Sequence, residues 1–343
     1  MLKLSDFDYN LPPERIAQTP LEERDQSRLM VVDRAAGKLT DSRFATLPDL
    51  LRDGDVLVIN DTRVNAVRLF GARPGHPDEK LEVFLTTRIA PGLWHALVRP
   101  GRKLLPGTAV EFGDTLTASV LERIDDRGGR LLQFETAHGD VEAAIEQVGL
   151  APLPPYITTP LPTENRERYQ TVYARHAGSS AAPTAGLHFT PAVLERIAER
   201  GVDIVKVTLH VGLGTFRPIQ TENIEEHSMH SESVQISDEA AEKINTARGR
   251  VVAVGTTALR TLEASAIGHG KVRAMHGETS LYITPGYDFQ VVQALVTNFH
   301  MPRSTLLVLV SAFAGYDLIK SAYQHALDQQ YRFLSFGDAM FIA

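Results

Sequence analysis

What most constrains this chain is an interruption. Two stretches in which helix and strand patterns alternate are separated by a block of short β-type runs, after which the alternation resumes. Between about Val64 and Glu135 stand AVRLFGAR, KLEVFLTT, LWHALVR, TAVEF, LTASVLER and RLLQFE, divided by PGHPDE, APG, PGRKLLPG, GD and DDRGG. Short strands at regular spacing with Gly/Pro turns make an all-β barrel or sandwich. VEAAIEQVG reads as a short helix after the block, and GLAPLPPYITTPLP as an extended, proline-rich connection. Residues 65–150 are therefore expected to be an all-β barrel inserted into a larger α/β domain built from residues 1–64 and 151–343.

The flanking segments supply that larger domain. SRLMVVDR reads as a strand, FATLPDLL as helical, and VLVIN as a buried strand that runs into Asn60-Asp61-Thr62-Arg63. Polar groups at such a strand end are where α/β folds place ligands. Thr190 should cap the helix AVLERIAER, with Pro191 at its first position, and Ser237 should cap ISDEAAEKINTAR. VVAV, LYI, QVVQALVT and AMFI read as further strands, with helices over Ser304–Phe313 and near Leu318–Leu327. The fold class is mixed α/β.

Composition bounds the chemistry. The chain has no cysteine, so thiolate catalysis and Cys-based metal centres are excluded. MLKLSDFDYNLPPE lacks a signal-peptide core, and TLLVLVSAFAG is too short to cross a membrane, so the expected location is the cytoplasm. A net charge of −7 argues against nonspecific coating of nucleic acid. The charge is uneven, however. Asn60 to Lys103 holds eight Lys/Arg against four Asp/Glu, while Leu104 to Leu150 holds three against nine.

Four polar constellations punctuate the α/β pattern. The densest is LHVGLGTFRPIQTENIEEHSMHSE, from Leu209 to Glu232, with Gly212, Gly214, His210, His227, His230 and Glu232. Arg217 stands where a dinucleotide fingerprint needs its third glycine, and no phosphate-loop or His-Glu-x-x-His motif occurs. A His-x-x-His pair in a loop is a weak metal signal, and no metal is expected. The second is RHAGSSAAPTAGLHFT, small residues with Thr184 and His188 ahead of a helix start. The third is Gly255-Thr256-Thr257 with Arg260, between a buried strand and a helix. The fourth is Thr297 to Leu306, with Asn298, His300 and Arg303. A solvated loop or an ordinary strand-to-helix turn explains each alone; their recurrence at several strand ends favours a shared site.

Together LPPERIAQTP, SRLMVVDR, VLVINDTRV, APLPPYI, RYQTVYARHAGSSAAPTAGLHFT, LHVGLGTFRPI, HSMHSE, GTTALRTLE and LVTNFHMPRSTLL resemble the S-adenosylmethionine:tRNA ribosyltransferase-isomerase family of queuosine biosynthesis. The likeness runs in order from Leu11 to Ile342 and is thinnest from Arg73 to Glu146. It implies an α/β domain with an inserted barrel. It also implies transfer and isomerisation of the ribosyl group of S-adenosylmethionine onto 7-aminomethyl-7-deazaguanine at the wobble position of tRNA. The products would be epoxyqueuosine, adenine and methionine. S-adenosylmethionine would be a consumed co-substrate, with no cofactor needed. The expected partner is tRNA, with no membrane and a monomeric protein. The rival readings are another S-adenosylmethionine-dependent tRNA-modifying enzyme, such as a methyltransferase, and a noncatalytic tRNA-binding protein.

The implied reaction assigns tasks to residue types. A sulfonium acidifies the neighbouring ribose C5′ hydrogens, so a base titrating near neutrality is needed, and departing adenine needs an acid. His188 and His210 are the leading candidates, followed by His230, Glu232 and His300. Asp61, Arg63, Thr256, Thr257 and Arg260 are expected to hold methionine and ribose, Gly212 and Gly214 to wall the adenosyl and ribosyl groups, Asn298 and Arg303 to meet the purine or tRNA, and Thr184 and His300 to bind substrate as well. For tRNA the candidates are Arg99, Arg102 and Lys103 on a barrel turn, with Arg168, Tyr169 and Arg175.

Overall fold

A computed structural model describes residues 2–125, 128–137, 139–150, 152–159, 167–212, 219 and 221–343. Its contacts separate two compact units, Met1–Arg63 with Pro154–Ala343, and Val64–Leu153.

In chain order the first segment carries β1 (Arg28–Asp33), β2 (Lys38–Arg43), α1 (Leu47–Leu50), β3 (Val56–Asn60) and β4 (Thr62–Val64). The middle segment carries β5 (Arg68–Gly71), β6 (Leu81–Ala90), β7 (Leu93–Arg99), β8 (Ala109–Phe112), β9 (Leu116–Arg123), β10 (Gly129–Thr136) and α2 (Val141–Val148). The last segment begins with β11 (His176–Ser179), α3 (Pro191–Glu199), β12 (Asp203–Leu209), β13 (Glu232–Ile236), α4 (Asp238–Asn245) and β14 (Val251–Val254). It continues through α5 (Gly255–Ala264), β15 (Ala266–Gly268), β16 (Lys271–Val272), β17 (Met275–Thr279), β18 (Ala294–Asn298), α6 (Thr305–Ala314), α7 (Tyr316–Asp328) and β19 (Ala339–Ile342).

The larger unit is organised by a nine-stranded mixed sheet in the order β17-β13-β12-β3-β14-β18-β19-β1-β2. Its centre, β12-β3-β14-β18, is parallel throughout. Strands covered on both faces read as continuous apolar runs, and VLVIN, VVAV and ALVTN are buried at every position. Alternate residues feed opposite cores. Val56, Val58, Val251 and Ala253 pack with α5, α6 and α7 on one face. Leu57, Ile59, Val252 and Val254 pack with Phe44, Phe189, Val193 and Ile197 on the other. Hydroxyl caps start the helices where the sequence indicated: Thr190 accepts from the Val193 amide at 3.2 Å, Ser237 from Ala240 at 3.1 Å and Ser304 from Leu307 at 3.2 Å.

Parallel packing fixes the functional geography. β12, β3, β14 and β18 all end on one edge of the sheet. The antiparallel neighbours bring their own starts to that edge: β13 begins there because Leu209 faces Val234, and β19 because Asn298 faces Ala339. Strand ends far apart in sequence are thereby gathered along one line.

The smaller unit is a nearly closed six-stranded antiparallel barrel, β5-β6-β7-β10-β9-β8, closed by a bridge between Ala72 and Glu111. Its interior takes alternate residues, Leu81, Val83 and Leu85 from β6, Leu116, Ala118 and Val120 from β9, and Leu132 and Phe134 from β10. Ala144 and Ile145 of α2 join the same core, and Asp140 caps that helix. Gly71 sits where a Cβ would lie 2.4 Å from the Glu111 carbonyl, so closure requires glycine.

Two expected strands differ. LYI (281–283) is not a strand; the edge strand is Met275–Thr279, whose alternation is masked by histidine, glycine and glutamate, and β13 pairs with it. QVVQALVT forms a strand only over Ala294–Asn298, because the amides of Gln290, Val291 and Val292 turn inward to the buried Glu263 carboxylate.

Candidate active site at the strand ends

The gathered strand ends border a cleft in the larger unit enclosing about 1160 Å³ of empty space, part of it open to solvent. Its floor and walls are mostly apolar, from Ala181, Ala182, Pro183, Ala185, Val211, Phe299, Met301, Pro302, Leu306 and Leu334. Polar groups are few: Thr184, Thr256, Thr257, Thr297, Asn298, His300 and Arg303, with Tyr156, Ser304 and Ser335. No carboxylate lines it among the described residues. Such lining suits a flat, largely apolar ligand oriented by a handful of hydrogen bonds.

Local backbone explains how these groups arrive. Gly255, at φ +84°, swings the chain straight from β14 into α5, so Thr256 and Thr257 open the helix at the cleft. The Thr257 hydroxyl is buried there with no hydrogen-bond partner among the described residues, and an orphaned buried donor is costly unless a ligand meets it. Arg303 holds a left-handed backbone, φ 58°, and its exposed guanidinium reaches Asp8 at 3.4 Å and Glu222 at 3.9 Å.

Behind the cleft lies a buried relay. Thr184 donates to Asn298 Oδ1 at 2.9 Å, the Asn298 amide meets His188 Nε2 at 3.0 Å, and His188 Nδ1 meets Ser27 Oγ at 2.8 Å. Phe44 stacks on the imidazole at 5.0 Å. Burial, aided by Arg332 and Arg24, pushes His188 down to about 3, so it is neutral at physiological pH with both nitrogens engaged. It does not line the cleft, and the expectation of a neutral-range acid/base there is corrected by this environment. His300 does line the cleft, but burial also lowers it to about 3, and Nε2 is bound to Thr297 at 2.8 Å.

His210 differs. It is half-buried just past β12, beside the cleft-lining Val211 but not itself among the lining residues, with Nδ1 held by the Thr62 hydroxyl at 2.7 Å. Burial and neighbouring His176 lower its pKa while Asp61 opposes them, and no protein group partners its Nε2 among the described residues. Its ring packs on Gly178, where a Cβ would come within 2.9 Å of Cε1. Asn60 holds this corner: it donates to the Leu209 carbonyl and accepts from the amides of Thr62 and Leu209.

Glu232 and Arg260 form a buried ion pair, their side chains 3% and 5% exposed. Glu232 also accepts from the Gly212 amide at 3.2 Å, and Arg260 Nε bonds the Leu281 carbonyl at 3.0 Å. The pair ties the turn after β12 to the helix that opens with Thr256 and Thr257.

Other candidates lie elsewhere. Asp61 turns away from the cleft, accepting from Thr208 at 2.7 Å with His176 at 3.6 Å. Arg63 pairs with Glu167 at 2.6 Å on the surface, and His230 is exposed. Gly214 and Arg217 lie outside the described residues. Tyr169 is fully buried, edge-on to Phe336, which corrects the expectation that a tRNA base could stack on it. Arg168 is spent on the carbonyls of Leu21 and Glu22, whereas Arg175 is exposed. In the barrel unit Arg99 and Arg102 are exposed and Lys103 pairs with Glu79 at 3.0 Å. That turn is fastened by Arg130, 3% exposed, which donates to the carbonyls of Gly101, Leu104 and Gly129.

Sequence reasoning missed Ser27, Tyr156 and Ser335. Tyr156 and Ser335 line the cleft and bond each other at 2.7 Å. The available signal was SFGD, a small polar stretch directly ahead of a buried strand; its relevance depends on β19 running antiparallel. Among the described residues no three histidine or carboxylate groups converge as a metal site, and no single helix is long and apolar enough to cross a membrane.

Comparison with known proteins supplies a family. The profile described as "Queuosine biosynthesis protein" matches residues 4–342. Proteins named S-adenosylmethionine:tRNA ribosyltransferase-isomerase match at 52% identity in Desulfitobacterium hafniense and 54% in Symbiobacterium thermophilum, each over 99% of this chain and 100% of the relative. A crystal structure titled S-adenosylmethionine tRNA ribosyltransferase, from Thermotoga maritima, is 37% identical, covers 98% of this chain and 100% of its own, and superposes with a TM-score of 0.56. With its strand-end cleft and its inserted barrel, the chain belongs to the queuosine biosynthesis family of S-adenosylmethionine:tRNA ribosyltransferase-isomerases.

Proposed function

We infer that this protein transfers and isomerises the ribosyl group of S-adenosylmethionine onto 7-aminomethyl-7-deazaguanine at the wobble position of tRNA. Epoxyqueuosine-tRNA forms, and adenine and methionine leave. The observation that carries this reading is identity above one half to relatives of that name over essentially the whole chain. The cleft is compatible with it: apolar walls for a purine, and hydroxyls at a helix start for ribose or carboxylate.

For C5′ deprotonation we assign His210. It is half-buried, its Nε2 has no partner among the described residues, the Thr62 hydroxyl orients Nδ1, and a pKa below the ordinary 6.5 keeps it in its basic form at pH 7. Asn298, Thr184, Thr256 and Thr257 hold the adenosyl portion. The exposed Arg99, Arg102 and Arg175 meet tRNA phosphates. Neutral His188, with both ring nitrogens engaged, and neutral His300, with Nε2 held by Thr297, support binding rather than proton transfer.

The test incubates the protein with S-adenosylmethionine and tRNA bearing the deazaguanine amine. Adenine and methionine are expected in equal amounts; S-adenosylhomocysteine instead, or no turnover by folded protein, overturns the reading.

A further inference from the structure

The buried relay behind the cleft has a direction. Asn298 Nδ2 lies 3.3 Å from the Leu334 carbonyl and 3.5 Å from the Asp338 carbonyl, groups that can only accept. The amide nitrogen therefore points inward, where it also donates to His188 Nε2 at 3.0 Å. Nε2 being an acceptor, Nδ1 carries the proton and donates to Ser27 Oγ. At the other end Oδ1 can only accept, so the Thr184 hydroxyl commits its proton to Asn298. Thr184 lines the cleft, and with its one proton turned inward it offers the cleft lone pairs alone.

An acceptor held this way selects a donor. On the substrate of the reading above, the ribose hydroxyls both donate and accept, so polarity does not discriminate among them. The methionine ammonium is a full charge, and no carboxylate lines this cleft to receive it. The exocyclic amine of adenine is neutral and donates, and the flat walls of Ala182, Pro183, Phe299 and Leu334 suit a purine ring. We propose that Thr184 is a specificity residue that accepts from the adenine 6-amino group, and that His188 is a positioning residue that acts through Asn298 to keep Thr184 in acceptor polarity.

This inference rests on the proposed activity, so its test starts from an active wild-type enzyme and compares substrates within it. Adenine release and binding by calorimetry are followed with S-adenosylmethionine, with the analogue lacking the 6-amino group, and with the 6-oxo analogue, which presents an acceptor. Wild type should lose roughly ten-fold in kcat/KM on the first analogue and more on the second. Thr184→Val should lose that much on S-adenosylmethionine and treat it and the first analogue alike; Thr184→Ser should restore discrimination. His188→Gln, which keeps an acceptor toward Asn298, should raise KM less than His188→Leu, which has none, and neither should shift the pH profile. Undiminished discrimination in folded Thr184→Val overturns the role of Thr184. Loss of a limb of the pH profile in His188→Gln, with KM unchanged, overturns that of His188. Failure of wild type to release any adenine would instead remove the activity on which the inference stands, while calorimetry still reports whether the cleft distinguishes the amine.

Discussion

Replacing Glu232 by Gln should destabilise the larger unit by about 3 kcal/mol. Its side chain and that of Arg260 are 3% and 5% exposed. Arg260 Nη2 already lacks a partner, and Nε has only the Leu281 carbonyl. Removing the carboxylate's charge leaves a buried guanidinium supported by little more than one carbonyl and a neutral amide. Breaking a buried pair costs roughly 3–5 kcal/mol, and the low end applies because glutamine still accepts from Arg260. Against a total stability of roughly 5–15 kcal/mol this is a large share. Urea unfolding followed by far-ultraviolet ellipticity reads mainly the larger unit, which holds every described α-helix except α2. Fluorescence of the single tryptophan, Trp94, reads the barrel. With an m-value of about 3 kcal/mol/M the ellipticity midpoint should fall by about 1 M. Arg260→Met and Glu232→Leu should each cost at least a similar amount alone, and the two together should recover most of it, giving a coupling above about 2 kcal/mol. Additivity within about 0.5 kcal/mol would refute the idea that this pair braces the two turns.

Acid should weaken the fold before its carboxylates titrate. His188 and His300 lie at about 3 when folded against 6.5 unfolded, so below pH 6.5 the unfolded chain binds more protons. Their stabilising contribution is complete above that pH and is lost as pH falls, about 1.4 kcal/mol per unit for each; a flat urea midpoint from pH 7 to 5 would contradict it. Gly178→Ala places a Cβ within 2.9 Å of the His210 ring at φ +150°, and kcat/KM should fall at least roughly ten-fold, as displaced catalytic groups do; unchanged turnover would free His210 of its assigned task. Arg130→Met leaves the carbonyls of Gly101, Leu104 and Gly129 without their donor, and the Trp94 transition should lose at least about 2 kcal/mol. Replacing Arg99 and Arg102 together should lower the slope of log affinity for tRNA against log salt by about 1–2, and an unchanged slope would remove that turn from the phosphate footprint.

The architecture was legible in the sequence because its signals are local. Evenly spaced turns marked the barrel, continuous apolar runs marked the central strands, and capping hydroxyls marked the helix starts. The turns bearing Thr256, Asn298 and His300 were legible for the same reason: each follows a buried strand, and parallel packing sends all three to one edge. Orientation was not legible. Asp61 follows its strand as closely as those residues do, yet it faces Thr208 and His176 on another side. His188 looked like a proton carrier in a loop of small residues, but its Nδ1 partner, Ser27, lies 161 positions away and reaches it only through the path of β1. Tyr169 sits among arginines and glutamates that suggest a surface, and tertiary packing buries it.

The barrel contains its own clasp. Just inside its two ends, Arg68 and Leu150 exchange backbone hydrogen bonds at 3.0 and 2.8 Å. A flexible loop costs conformational entropy that grows with its length, and the intervening chain would be a heavy burden on the larger unit if its ends were free. Clasped, those ends stay at roughly 5.5 Å, the spacing of a hydrogen-bonded strand pair. To the rest of the polypeptide, the whole insertion then has the entropy of a short connection once the barrel has folded. Lengthening the strands or turns between Arg68 and Leu150 should leave the larger unit's folding equilibrium almost untouched, whereas with the clasp unfastened and the barrel unfolded that equilibrium should carry a closure cost that grows by about 0.6 kcal/mol per doubling of the insertion.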